Sequence, residues 1–306
     1  MRVRHRVTAT RINMIMSIEA GSKTTHSEAS SSPPHFRGGE APQVTGWLPG
    51  APSSPPQPPH PFGAPLLENK EGREQLATPR LPSNSGVGLL HLLHLASPAL
   101  PVGAYSYSQG LEYAVEAQWV RDEASALDWI AGLLGHTLAH LDVPVAARLY
   151  DAWQRDDVKT VLYWSQFLLA NREARELQDE DRNMGLSLAR LLNDLGIADA
   201  AAWCKADSVS FLTLFTLAAR RWNIALPDAL HGYLWSWAEN QVLSAVKLIP
   251  LGQTAGQRLL TQLIPRIAQA VGTGMALADD EIGFSAPGLA VAGALHETQY
   301  SRLFRS

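Results

Sequence analysis

The sequence predicts an all-α protein: one helical domain of about eight to ten helices over residues 86–306, preceded by a Pro/Ser-rich extension over residues 1–85. Three observations carry that expectation. After residue 85, apolar residues recur at spacings of three and four, the period of a helix with one buried face. No stretch of useful length alternates with the period of two that a strand needs. Proline is also unevenly spread, with 13 of the 20 prolines in residues 1–85, where no apolar period exists.

The extension reads as disordered. Its runs Ser30-Ser31-Ser32-Pro33-Pro34 and Pro55-Pro56-Gln57-Pro58-Pro59 remove amide donors and favour extended conformations over a packed core. The basic opening Met1-Arg2-Val3-Arg4-His5-Arg6 has a faint transit-peptide composition, and a secretory signal lacks its continuous apolar stretch. The alternative is a start codon set too far upstream, with Met14, Met16 or a later residue as the true start.

The helices follow in order. Residues 81–111 contain no Asp, Glu, Lys or Arg, and the run Leu89-Leu90-His91-Leu92-Leu93-His94-Leu95 predicts a short buried helix running into a structured loop. It is far below the roughly 20 residues of a membrane span. Residues 122–141 place Ala126, Leu127, Ile130, Leu133, Leu134, Leu138 and Leu141 on one face, with Asp122 or Ser125 as the cap. Helices over 156–170 and 172–195 come next, the second charged in its first half and stopped by Gly196. Residues 207–222 are apolar nearly all round and predict a central helix. Pro227 suits the first turn of a helix reaching Leu248, and Pro250-Leu251-Gly252 separates it from a helix over 255–278.

Composition removes several function classes. A net charge of -4, and 16 basic against 23 acidic residues in 86–306, argues against a nucleic-acid binder. The single cysteine excludes an internal disulfide and a Cys-rich metal site, which fits a reducing, cytoplasmic setting. No P-loop, nucleophile elbow or H-E-x-x-H motif is present, so the usual handles for nucleotide, acyl and zinc-protease chemistry are missing. Cys204 reads as a small helix residue. His136 and His140 stand at i, i+4 and are the weak candidates for a metal, but two imidazoles are half a site.

Two segments are richer than packing requires. Between Ser97 and Glu112, two prolines and Gly103 make a rigid turn, after which Tyr105, Ser106, Tyr107, Ser108, Gln109 and Glu112 offer hydrogen bonds at the start of the next helix. The last residues combine Tyr300, Leu303 and Phe304 with Arg302 and Arg305, types that carry interfaces. Either an interface or docking onto the chain's own helices explains them. Glu112 and Lys247 are charges in otherwise uncharged structured segments, so each is expected to face a partner or the other.

These segments, with Tyr233-Leu234-Trp235-Ser236-Trp237-Ala238-Glu239-Asn240-Gln241-Val242 and Val246-Lys247-Leu248-Ile249-Pro250-Leu251-Gly252-Gln253-Thr254, resemble the UreF family of urease accessory proteins, in the same order and over about residues 86–306. Leu295 departs from the pattern, which has an arginine there, and the first 85 residues have no counterpart in it. The resemblance implies an all-α, non-enzymatic, dimeric adaptor. Such a protein joins UreD (also called UreH) and the GTPase UreG to the urease apoprotein for GTP-dependent nickel insertion. It implies no stably bound cofactor, since nickel is handled by the complex and GTP is bound by the partner. It places the UreD contact on Glu297, Tyr300, Arg302, Leu303 and Phe304. The GTPase-facing surface falls near the helix entered at Ser106 to Glu112, with Tyr107 and Gln109, and near Lys247, and Tyr105 and Gln253 join the partner-binding set. Two alternatives stay open: activation of UreG through an arginine finger, with Arg121, Arg172, Arg175 and Arg258 among the candidates, and weak nickel binding at His136 and His140.

Overall fold

A computed structural model describes residues 84–283 and 286–306, and the expectations for the extension lie outside the described residues. Ten α-helices make up the described chain: α1 (Asn84–Leu95), α2 (Leu111–Glu116), α3 (Glu123–Leu133), α4 (Val143–Gln154), α5 (Val158–Ala170), α6 (Arg175–Asp194), α7 (Phe211–Arg221), α8 (Leu226–Leu248), α9 (Gln253–Ala276) and α10 (Pro287–His296). No strand occurs among the described residues. The fold class is therefore the one that the periodicity predicts.

Several signals act where the sequence places them. Asp122 caps α3, its carboxylate accepting from the Ser125 amide at 2.8 Å. Gly196 ends α6 with φ +87°, a left-handed conformation that costs glycine nothing. Pro227 sits in the first turn of α8. Helix α7 is the centre: every residue from Leu212 to Ala219 is buried, enclosed by α4, α6 and α8.

The long helix departs from the expectation. Residues 123–154 form one run in which a π-helix (Leu134–Asp142) joins α3 to α4. Pro144 stands just past its end. It has no amide to donate to the His140 carbonyl one turn back, so regular α-bonding fails there, and the Gly283 amide donates to that carbonyl instead at 3.0 Å. The run is long and apolar enough to cross a membrane by composition, yet 67% of its most apolar window is buried in the fold, as suits a core helix. Helix α9 packs against the junction so closely that a Cβ on Gly274 would meet the Ala139 carbonyl at 2.5 Å.

Helix α1 corrects an expectation. It is not buried: Leu89, Leu90 and Leu93 are 56%, 65% and 59% exposed. Its main neighbour is α8, where Gly232 admits Leu92, and His91 stacks on Trp222 at 4.7 Å. A helix resting on one neighbour buries one face, and the absence of charge does not change that.

Candidate functional site

The two segments singled out in the sequence come together. The loop after α1 turns at Ser97, buries Leu100 and Val102, and passes through a short 3-10 turn, Ala104–Ser106. Polar side chains of α8 fix the next two residues: Asn240 donates to the Tyr107 carbonyl at 3.0 Å and Gln241 to the Ser108 carbonyl at 3.2 Å. Gln109 adopts φ +55°, an uncommon conformation outside glycine. Its side chain accepts from the Trp237 indole and donates to Glu180 Oε1, both at 2.6 Å.

Residues 297–306 lie along this loop. Glu112, buried in α2, accepts from the amides of Leu303 (2.6 Å) and Phe304 (2.8 Å) and lies 3.2 Å from His296 Nε2. The other nitrogen of His296 meets Glu176 at 2.6 Å, and Glu176 also pairs with Arg302. Glu297 accepts from the Arg175 amide at 3.0 Å, capping the start of α6. Arg305 donates its amide to the Ser106 carbonyl at 2.8 Å. At Ser306, a main-chain carboxylate oxygen accepts from Ser108 N and Oγ at 2.8 and 2.5 Å, and the hydroxyl donates to Glu180 Oε2 at 2.7 Å.

Glu112 therefore does not face a partner or Lys247, as the sequence suggests. Backbone amides of the chain's own last residues satisfy it, which is what a buried carboxylate requires. Lys247 approaches the same segment from outside, its ammonium 5.5 Å from the centre of the buried Phe304 ring. Phe304 is thus an internal anchor. The side chains left outward are Tyr300, fully exposed, Leu303 at 66% and Tyr105 at 67%. Ser106 is half-buried, Tyr107 is buried, and Gln253, exposed at the first residue of α9, joins none of these bonds.

A second buried cluster stands beside the first. The Arg172 guanidinium grips Asp142 with two bonds of 2.6 and 3.0 Å and donates a third to Asp181 at 3.0 Å. The Tyr233 hydroxyl donates to Asp142 at 2.7 Å, and the Phe211 amide to Asp181 at 2.7 Å. Burial opposes the charge on Arg172, but Asp142 and Asp181 outweigh it and hold its pKa well above the usual value. Burial raises the Tyr233 hydroxyl well above its ordinary pKa, and Asp142 adds to this. Burial also raises Asp181, against the pull of Arg172. Arg172 is therefore enclosed in its own ion network and is withdrawn as an arginine finger. Arg258 forms a two-bond pair with Glu123, while Arg121 and Arg175 stay exposed.

Glu180 and His296 are the parts that sequence reasoning leaves out. Glu180 is buried, and burial lifts its pKa to about 7 against the opposing bonds from Gln109 and Ser306. A signal existed: Leu177, Met184 and Leu188 mark the inner face of α6, and Glu180 and Asp181 fall on it. A cavity of about 150 Å³ opens beside this site, lined in part by Gln109, Glu180, Arg172, Trp237 and Met184. His136 and His140 lie on the π-helix, and no group of three His, Cys, Asp or Glu placed to hold a metal occurs among the described residues. Cys204 is half-buried just after a 3-10 turn (Ala198–Trp203), its thiol against the Ala200 carbonyl.

The UreF family profile matches residues 120–264, most of the helical core. A urease accessory protein UreF of Alkalilimnicola ehrlichii is 54% identical over 224 residues, covering 73% of this chain and 98% of that protein. The chain belongs to the UreF family. The UreF of Chromohalobacter salexigens is 44% identical over 231 residues, 76% of this chain and all of that protein. The UreF of Teredinibacter turnerae is 48% identical over 218 residues, 71% of this chain and 98% of that protein. Within this UreF chain, the loop and the last residues thus form one continuous hydrogen-bonded face.

Proposed function

We propose that this protein is a non-enzymatic accessory protein of urease maturation: an adaptor that joins UreD (UreH) and the GTPase UreG to the urease apoprotein for GTP-dependent nickel insertion. The observation that carries the reading is the union of the loop and the last residues on one face, in a chain 54% identical to a named urease accessory protein. Two aromatic side chains and a leucine on that face, Tyr105, Tyr300 and Leu303, point outward and are exposed among the described residues. Such residues anchor interfaces. The Leu303 amide is held by Glu112 and Tyr105 sits in a 3-10 turn, so binding costs less conformational freedom at these two. Nickel is cargo in this reading, and GTP belongs to the partner.

Self-association has its own support in α1, where Leu89, Leu90 and Leu93 form an exposed apolar stripe in a segment without charge. A second copy of the chain is the occupant assigned to it, and Leu93→Glu is expected to convert a dimer to a monomer in light scattering without lowering the melting temperature. A dimer that persists removes α1 from the interface.

The adaptor reading is tested by size-exclusion chromatography with light scattering on the full chain, alone and mixed with UreD and GTP-loaded UreG. The expected result is a dimer that enters a complex containing both partners. A monomer that ignores both overturns it. Arg175, 85% exposed and adjacent to the capped end of α6, keeps the arginine-finger reading available. Single-turnover GTP hydrolysis by UreG separates the two, since an activator raises the rate by orders of magnitude and an adaptor does not.

A further inference from the structure

We propose that Glu180 is a positioning residue that holds the partner-facing loop and the last residues of the chain in one arrangement, and that proton uptake by its carboxyl governs how firmly those residues are held. The proposal deepens the adaptor reading and rests on it in taking these segments as the partner-facing parts.

The geometry is a closed circuit. Glu180 Oε1 accepts from Gln109, and Oε2 accepts from the Ser306 hydroxyl. Ser108, the residue before Gln109, donates its amide and hydroxyl to the main-chain carboxylate oxygen of Ser306. Gln109 is also held by Trp237, so one side-chain amide in a strained backbone conformation ties α8 to α6. Removing Glu180 leaves the loop and the last residue joined only through Ser108.

The charges around Glu180 explain why a proton matters. Its neighbour Asp181 is acidic, and Arg172, which favours its charged form, is committed to Asp142 and Asp181. Tyr233 on α8 faces Asp142 rather than Glu180. On the side of the last residues, Glu112 is matched by backbone amides and His296, Glu176 by His296 and Arg302, and Lys247 lies over Phe304. Arg305 is exposed. Glu180 makes no ion pair among the described residues, so two neutral donors are the main offset to the cost of burying its charge, with a weaker pull from Arg172.

The sign follows from burial. With Ser306 in place burial lifts the carboxyl to about 7 although the Ser306 bond pulls the other way; displacing Ser306 removes that bond but opens the carboxyl to water, and relief of the larger burial cost brings the value down toward the ordinary 4.5. The held state therefore binds the proton more tightly. Protonation below pH 7 favours retention of the last residues, and ionisation above pH 7 favours release.

Hydrogen exchange of the full-length protein between pH 6 and 8, corrected for the intrinsic pH dependence of exchange, tests this. The Leu303, Phe304 and Arg305 amides are expected to lose about tenfold in protection from pH 6 to pH 8, with α7 unchanged. Glu180→Gln is expected to abolish that step while protection persists. Should Glu180→Gln not fold, Ser306→Ala removes one donor that favours the charged form, and the step is expected at higher pH. A flat wild-type profile, or the same step in the folded Glu180→Gln protein, overturns the proposal. The readout contains no partner. A protein that shows the step yet binds neither UreD nor UreG keeps Glu180 in this role and loses the adaptor reading, and a flat profile in a protein that binds both does the reverse.

Discussion

Glu180 and Asp181 are neighbours on one helix, both buried, and both have pKa values raised first by burial. Their surroundings differ in kind. Asp181 meets a guanidinium and an amide contributed by the helical body, in a network that also satisfies Asp142 and Tyr233. Glu180 meets an amide from the loop and a hydroxyl from the last residue, with no ion-pair partner among the described residues. The first arrangement braces helices against each other. The second depends on segments that lie on the surface of the bundle, so its strength varies with whatever those segments do. A buried carboxylate thus has a role set by which part of the chain supplies its donors.

The sharpest way to break the contrast is Arg172→Ala, which leaves Asp142 and Asp181 buried without their cation. A loss of about 3–5 kcal/mol in global stability is expected by urea unfolding. A loss below about 1 kcal/mol would put the ion network outside the scaffold. Next in size is Glu112→Ala, which strands the Leu303 and Phe304 amides and His296. About 2 kcal/mol is expected, with residues 297–306 cut by protease before α7 exchanges. Equal protection of both regions would join them into a single unit.

Glu180→Gln sharpens the comparison through pH. Because the folded carboxyl titrates near 7 and the unfolded one near 4.5, the folded state takes up the proton first between these values. Its contribution to stability is therefore greatest at the acid end and is lost as pH rises through 7. The variant should show a flatter dependence of melting temperature between pH 5 and 8, and an unchanged slope would assign the dependence to other groups. Smallest of all, Tyr300→Ala with Leu303→Ala should shift stability by no more than about 0.5 kcal/mol, because both side chains already face solvent.

Much of the fold was legible because its signals are local. Asp122 as a cap, Gly196 as a stop, Pro227 in a first turn and the all-round apolar α7 depend on neighbours within a few positions. The π-helix was not, since beside Pro144 the His140 carbonyl is satisfied by Gly283, far along the chain. Helix α1 misled because an uncharged helix looks buried until one counts the elements around it. At the site, the loop and the last residues stood out by composition, but their mutual contact is long-range. That contact turned Glu112 and Phe304 inward and left Tyr300 and Leu303 outward. Glu180 lay on a legible inner face, and only its environment distinguishes it from Asp181.

The most direct test of the account is UreD binding, followed by light scattering, for the wild-type chain and for the Tyr300→Ala, Leu303→Ala double variant. The account expects a wild-type complex, and a variant that melts like the wild type yet no longer forms it. A wild-type chain that ignores UreD, or a variant that binds as well as the wild type, would contradict the assignment of this face to a partner.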